Sequence, residues 1–121
     1  MKFRIKNFFY LFVFVMLAVV YMFIESYFIE IKKDEIISEE VPKEFNNIKI
    51  VFVSDIHCSW YFGEKRVRKI ADKINELKPD IILLGGDYIY GSEKYIKECF
   101  SGVSNLKAKY GIYAVLGNHE Q

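Results

Sequence analysis

Histidine and cysteine are scarce in this chain, with two of each among 121 residues. Cys58 and Cys99 make neither a disulfide framework nor a Cys-x-x-Cys pair. Cys58 directly follows His57, where the readings open to it are pocket lining, inertness or metal ligation. No excess of either charge is present. Lys and Arg number 17 against 16 Asp and Glu, so the basic footprint of a nucleic-acid binder is missing and no nucleic acid is expected as a partner. The apolar amino-terminal run ends in Tyr21, Met22, Phe23 and Ile24. It lacks the small residues of a cleavage site, which argues against a removed signal peptide, and no twin arginine precedes it. Gly85-Gly86-Asp87 stands without a P-loop lysine or a G-x-G-x-x-G, which argues against a nucleotide-binding loop. No serine or cysteine elbow offers a protein nucleophile.

What is abundant is apolar and aromatic surface. Everything from Phe8 to Ile24 is apolar or aromatic, and Lys2, Arg4 and Lys6 precede the run. A helix of roughly 18 such residues spans about 27 Å, near the lower limit for a bilayer. Apolar residues run all the way round, so a buried core helix with one polar face is the weaker alternative. The basic flank predicts an uncleaved, single-pass anchor in the cell membrane, with the amino terminus inside and the rest on the extracytoplasmic side. Residues 1–28 form this anchor. Residues 29–47 are expected to be an edge strand or linker, punctuated by Pro42, Asn46 and Asn47. Residues 48–121 form the folded part.

Within 48–121, local patterns alternate. Ile48 to Val53 has the length and β-branching of a buried strand. From Glu64, Val67, Ile70, Ala71, Ile74 and Leu77 make one apolar helical face, and Pro79 stops it. Ile81–Leu84 reads as a second buried strand. Ser92 is positioned to cap a second helix with Tyr95, Ile96, Cys99, Phe100, Val103 and Leu106 inward, although Gly102 weakens its last turn. Ile112–Leu116 is a third strand. Strand, helix and strand with short joints make parallel βαβ units, so the fold class is α/β.

Each strand runs into polar residues: Ser54-Asp55-Ile56-His57, then Gly85-Gly86-Asp87, then Gly117-Asn118-His119-Glu120. In a parallel sheet these clusters share the carboxyl edge, where ligands bind. Asp55 and His57 are two apart, so in an extended segment both side chains leave on one side. Taken singly, each cluster also has a bland reading. Asp55 could cap a helix, His57 could be an ordinary loop residue, and Asp87 could close an Asx turn. Together, a carboxylate–imidazole pair, a carboxylate behind glycines and an amide beside an imidazole suit two divalent metals.

The three clusters in this order resemble the calcineurin-like metallophosphoesterases, whose pattern is Asp-x-His, Gly-Asp and Gly-Asn-His-Asp/Glu. The resemblance covers roughly residues 41–120, and the anchor with Val41-Pro-Lys-Glu-Phe45 resembles the membrane-attached bacterial branch. It implies the first half, βαβαβ, of an αββα sandwich, and two divalent ions (Mn, Zn or Fe). Asp55 and His57 would serve the first ion, Asp87 would bridge, and Asn118 would serve the second. His119 would be catalytic, protonating the leaving oxygen or stabilising phosphoryl charge, with Glu120 orienting it. The implied reaction is hydrolysis of a phosphate ester, phosphodiester or pyrophosphate by activated water, on a phosphorylated small molecule or a lipid-linked substrate. The family's pattern continues with further histidines, including a late Gly-His-x-His, whereas only His57 and His119 stand here. The chain is therefore expected to be the amino-terminal half of such an enzyme, inactive alone and with apolar surface uncovered. The alternative is a non-catalytic membrane-anchored module that a second chain completes.

Overall fold

The computed structural model describes residues 2–118. The chain divides into two units, Met1–Ile36 and Ile37–Gln121. The first is dominated by α1 (Lys2–Glu25), 24 residues long. Its stretch from Lys6 to Glu25 is long and apolar enough to cross a membrane, and none of it is buried. The Ser26 hydroxyl donates to the Phe23 carbonyl at 2.8 Å, satisfying one of the orphan acceptors at the helix end. Residues 28–38 form no regular element.

The second unit opens with a single 3₁₀ turn at Lys43–Phe45 and then builds a three-stranded sheet. Strands β1 (Ile50–Val53), β2 (Ile81–Leu84) and β3 (Gly111–Ala114) lie parallel in the order β1-β2-β3. Ile50 pairs with Ile81 and Val53 with Leu84, while Ile81 pairs with Gly111 and Leu84 with Ala114. Helix α2 (Glu64–Glu76) connects β1 to β2 and helix α3 (Ile96–Val103) connects β2 to β3. At the amino ends of the strands, the Asp80 carboxylate accepts the Lys49 amide at 2.9 Å and the Asp80 carbonyl accepts the Tyr110 amide at 2.7 Å.

Val67, Ala71 and Ile74 of α2 are buried as their spacing predicts, in one cluster with Ile82, Leu84, Cys99 and Leu106. Arg68 beside Glu64, with help from the Ser101 hydroxyl on α3, holds the Glu64 carboxyl below its ordinary range. Helix α3 is shorter than its apolar pattern. Ser92 precedes a 3₁₀ turn, Glu93–Tyr95, and its side chain makes no capping bond. Ile96 and Phe100 stay partly exposed, at 40% and 49%, and Leu106 lies beyond the helix. Gly102 sits where α3 crosses α2, and a Cβ there would fall 2.5 Å from the Val67 Cβ. The glycine that reads as a helix weakener in the sequence is thus the residue that lets the helices touch.

The strands are not buried on both faces, contrary to their uninterrupted apolar composition. Ile82 and Leu84 are buried, but Phe52 is 65 % exposed, Tyr113 58 % and Leu83 37 %. Phe52, Leu83 and Tyr113 are aligned in register across the sheet, so among the described residues one apolar face is uncovered.

Candidate metal centre

The sheet continues past its regular strands as a lacing of backbone bonds that sets the site. The Gly85 amide donates to the Val53 carbonyl, Asp55 to Gly86, His57 to Asp87 and Cys58 to Tyr88, at 2.7 to 3.0 Å. Ile56 and Cys58, the residues flanking His57, are buried, which leaves Asp55 and His57 at the surface.

The segment is not extended, as the two-residue spacing suggests. Asp55 has φ 57°, His57 50° and Asp87 53°. All three lie in the left-handed region, where Asp and His are among the few side chains tolerated. Their convergence is made by this turned backbone. One ligand atom from each of Asp55, His57 and Asp87 lies within 4.8 Å of the others. His57 Nε2 is 3.6 Å from Asp55 Oδ1. The Tyr90 ring meets the His57 ring edge-on, centroids 5.8 Å apart.

The glycines give the strand ends room to meet. Gly86 has φ 96°, and a Cβ on it would come 2.7 Å from the Gly117 Cα. A Cβ on Gly117 would overlap the Asp87 side chain and amide. Only glycine at both positions brings Asn118 against Asp87. With its nitrogen inward, the Asn118 amide donates to Asp87 Oδ1 at 3.3 Å and Oδ2 at 3.0 Å. With its oxygen inward, the amide would face a carboxylate, an arrangement that a cation between them satisfies. An oxygen, nitrogen and oxygen donor set with an amide oxygen in reach fits a borderline divalent metal. His119 and Glu120 lie outside the described residues.

Two structural parts of the site are not legible in the motifs. Tyr88, which belongs to none of the three polar clusters, is buried, with its hydroxyl 3.1 Å from the Leu84 carbonyl and 2.7 Å from the Val115 carbonyl. It pins the end of β2 to the segment leading into Gly117-Asn118. Cys58 is no candidate ligand either: it is joined to Cys99 in a disulfide.

Comparison with known proteins agrees with this geometry. A family model described as calcineurin-like phosphoesterase matches residues 48–121. A protein of Aquifex aeolicus (strain VF5), named an uncharacterized metallophosphoesterase, is 35% identical over 100 residues, covering 83% of this chain and 38% of its own length. The uncharacterized metallophosphoesterase YkuE of Bacillus subtilis is 33% identical over 100 residues, 81% of this chain and 35% of its own. A transmembrane protein with metallophosphoesterase domain from Danio rerio is 29% identical over 86 residues, 71% of this chain and 20% of its own. The chain thus spans between a fifth and two-fifths of the length of these relatives. No solved structure gives a significant match.

Proposed function

The chain belongs to the calcineurin-like phosphoesterase family, and from that premise we propose that it contributes half of a two-metal centre for hydrolysing phosphoesters. The observation that carries the proposal is the meeting of Asp55, His57 and Asp87 at the carboxyl edge of the sheet. Asp55 and His57 would hold a first ion, Asp87 would serve both ions, and Asn118 would offer its amide oxygen to the second. When bound, such a cation pair acidifies water for attack and neutralises phosphoryl oxygens. His119 supplies a proton to the leaving oxygen or stabilises phosphoryl charge, and Glu120 orients it. Mn²⁺, Zn²⁺ and Fe all suit these donors.

Helix α1 anchors the domain in the cell membrane with the site on the extracytoplasmic side, supported by the basic residues before the apolar run. Phosphate or pyrophosphate carried on a lipid is the substrate class such an anchor favours, with soluble phosphomonoesters and phosphodiesters as competitors. The bare apolar face of the sheet and the presence of only two histidines support the reading that further polypeptide completes the site.

The test assays the full-length protein that carries this sequence, with metal analysis, against phosphomonoesters, phosphodiesters and pyrophosphates. Hydrolysis that vanishes with a chelator and returns with Mn²⁺ is expected. A full-length protein that binds no divalent metal overturns the reading.

A further inference from the structure

Cys58 and Cys99 are the two most buried polar-capable side chains near the site, 0% and 1% exposed. Their Cα atoms stand 5.7 Å apart, inside the range a relaxed disulfide spans. Forty-one positions of chain separate them, so the bond ties the segment after β1 to helix α3, two parts that no backbone ladder joins. Its position gives it leverage. Cys58 follows His57, and its backbone bridges β-fashion to Ile89, two residues after Asp87. The Cys58 amide donates to the Tyr88 carbonyl at 2.7 Å and its carbonyl accepts the Tyr90 amide at 2.9 Å. Tyr88 and Tyr90 in turn contact the two sides of the site, through the Val115 carbonyl and the His57 ring.

We propose that the Cys58–Cys99 disulfide is a positioning clamp, which holds the left-handed His57 segment against α3 and is formed on the outer side of the membrane. Disulfides persist in oxidising compartments, which agrees with the anchor orientation read from the basic flank. The step is thiol–disulfide exchange. The two thiols give up two protons and two electrons, the Cys58–Cys99 S–S bond forms, and an exchanging disulfide R–S–S–R is reduced to two R–SH. The clamp is a positioning device for His57. Its effect on metal binding rests on the ligand reading of His57, and its existence does not.

The test has two readouts. In cells expressing the chain, thiols are trapped in acid and alkylated, and the denatured protein is then reduced and labelled with a second reagent. Both cysteines should carry only the second label, and the first label on both overturns the clamp. Hydrogen exchange of purified full-length protein is then compared before and after reduction by a phosphine. Peptides covering residues 54–62 should lose protection by at least about tenfold, while 81–84 keep theirs. Unchanged protection at 54–62 overturns the positioning role, even if the bond exists. Mn²⁺ affinity should fall about tenfold on reduction. An Ile74→Ala variant, which lowers stability in the same core but keeps both cysteines and their bond, should keep its affinity. If the oxidised protein binds no Mn²⁺, the ligand reading fails and the exchange data still decide the clamp.

Discussion

Asp55, His57 and Asp87 each occupy left-handed backbone, at a cost of about 1 kcal/mol apiece relative to ordinary regions. The Asp55 and Asp87 ligand atoms also lie within 4.8 Å of each other, so two carboxylates repel when no cation sits between them. Both features oppose folding and favour binding, which is the signature expected where strain serves a site. Asp87→Asn keeps a residue that tolerates left-handed backbone and removes one of the facing charges. In the full-length protein it should leave the metal-free melting point unchanged or raise it by the equivalent of about 1 kcal/mol, while emptying both metal positions. Asn118→Ala should cost less activity, since in the proposed arrangement Asn118 would serve one ion only. Metal stoichiometry and melting in chelator check both, and a clearly lowered melting point for Asp87→Asn would count against stored strain. His119→Ala should retain metal and slow turnover by about 10²- to 10⁴-fold, the usual worth of a general acid. Loss of metal in that variant would make His119 a ligand instead.

At the scale of elements, the contact of α2 with α3 decides where Cys99 sits. Gly102 passes so close to Val67 that a methyl group has no space. Gly102→Ala should destabilise the protein by about 1–3 kcal/mol through overpacking. Adding Val67→Ala should recover part of that loss, because the second change makes the missing room, and the two effects should be clearly non-additive. Urea unfolding of the four members of the cycle in the full-length protein measures the coupling. Strict additivity would mean that the helices separate rather than pack at this point.

For the molecule as a whole, the bare sheet face governs behaviour. Phe52, Leu83 and Tyr113 align across it with Ile50 and Val115 also exposed. Covering such side chains contributes about 1.5–3 kcal/mol each, a large loss for three strands to bear uncovered. The 121-residue product should therefore aggregate without detergent, bind at most one divalent ion weakly and show no turnover above background. A chromogenic phosphodiester in excess Mn²⁺ tests this, and robust metal-dependent hydrolysis would refute it. It should also fractionate with membranes and expose the chain beyond Tyr27 to protease added outside the cell. Recovery in the soluble cytosol would refute the anchor.

Features that depend on near neighbours were legible along the chain. The apolar run of α1, the helical face of Val67, Ala71 and Ile74, and the position of the short strand Ile81–Leu84 follow from patterns of adjacent residues. Three polar clusters after three apolar runs were enough to place Asp55, His57 and Asp87 on one edge, because parallel topology brings strand ends together. The rest depends on contacts between distant segments. The pairing of Cys58 with Cys99, the glycine contacts of Gly86 and Gly117, and the pin made by Tyr88 all join residues distant in sequence, and no local pattern encodes them. The same holds for the exposed Phe52. An apolar strand reads as buried on both faces, but burial requires a second layer, and among the described residues the buried helix side chains cluster with one face of the sheet. The left-handed turns at Asp55 and His57 are the sharpest case. Local preference opposes them, and they persist because the hydrogen bonds from Asp55 to Gly86 and from His57 to Asp87 outweigh it.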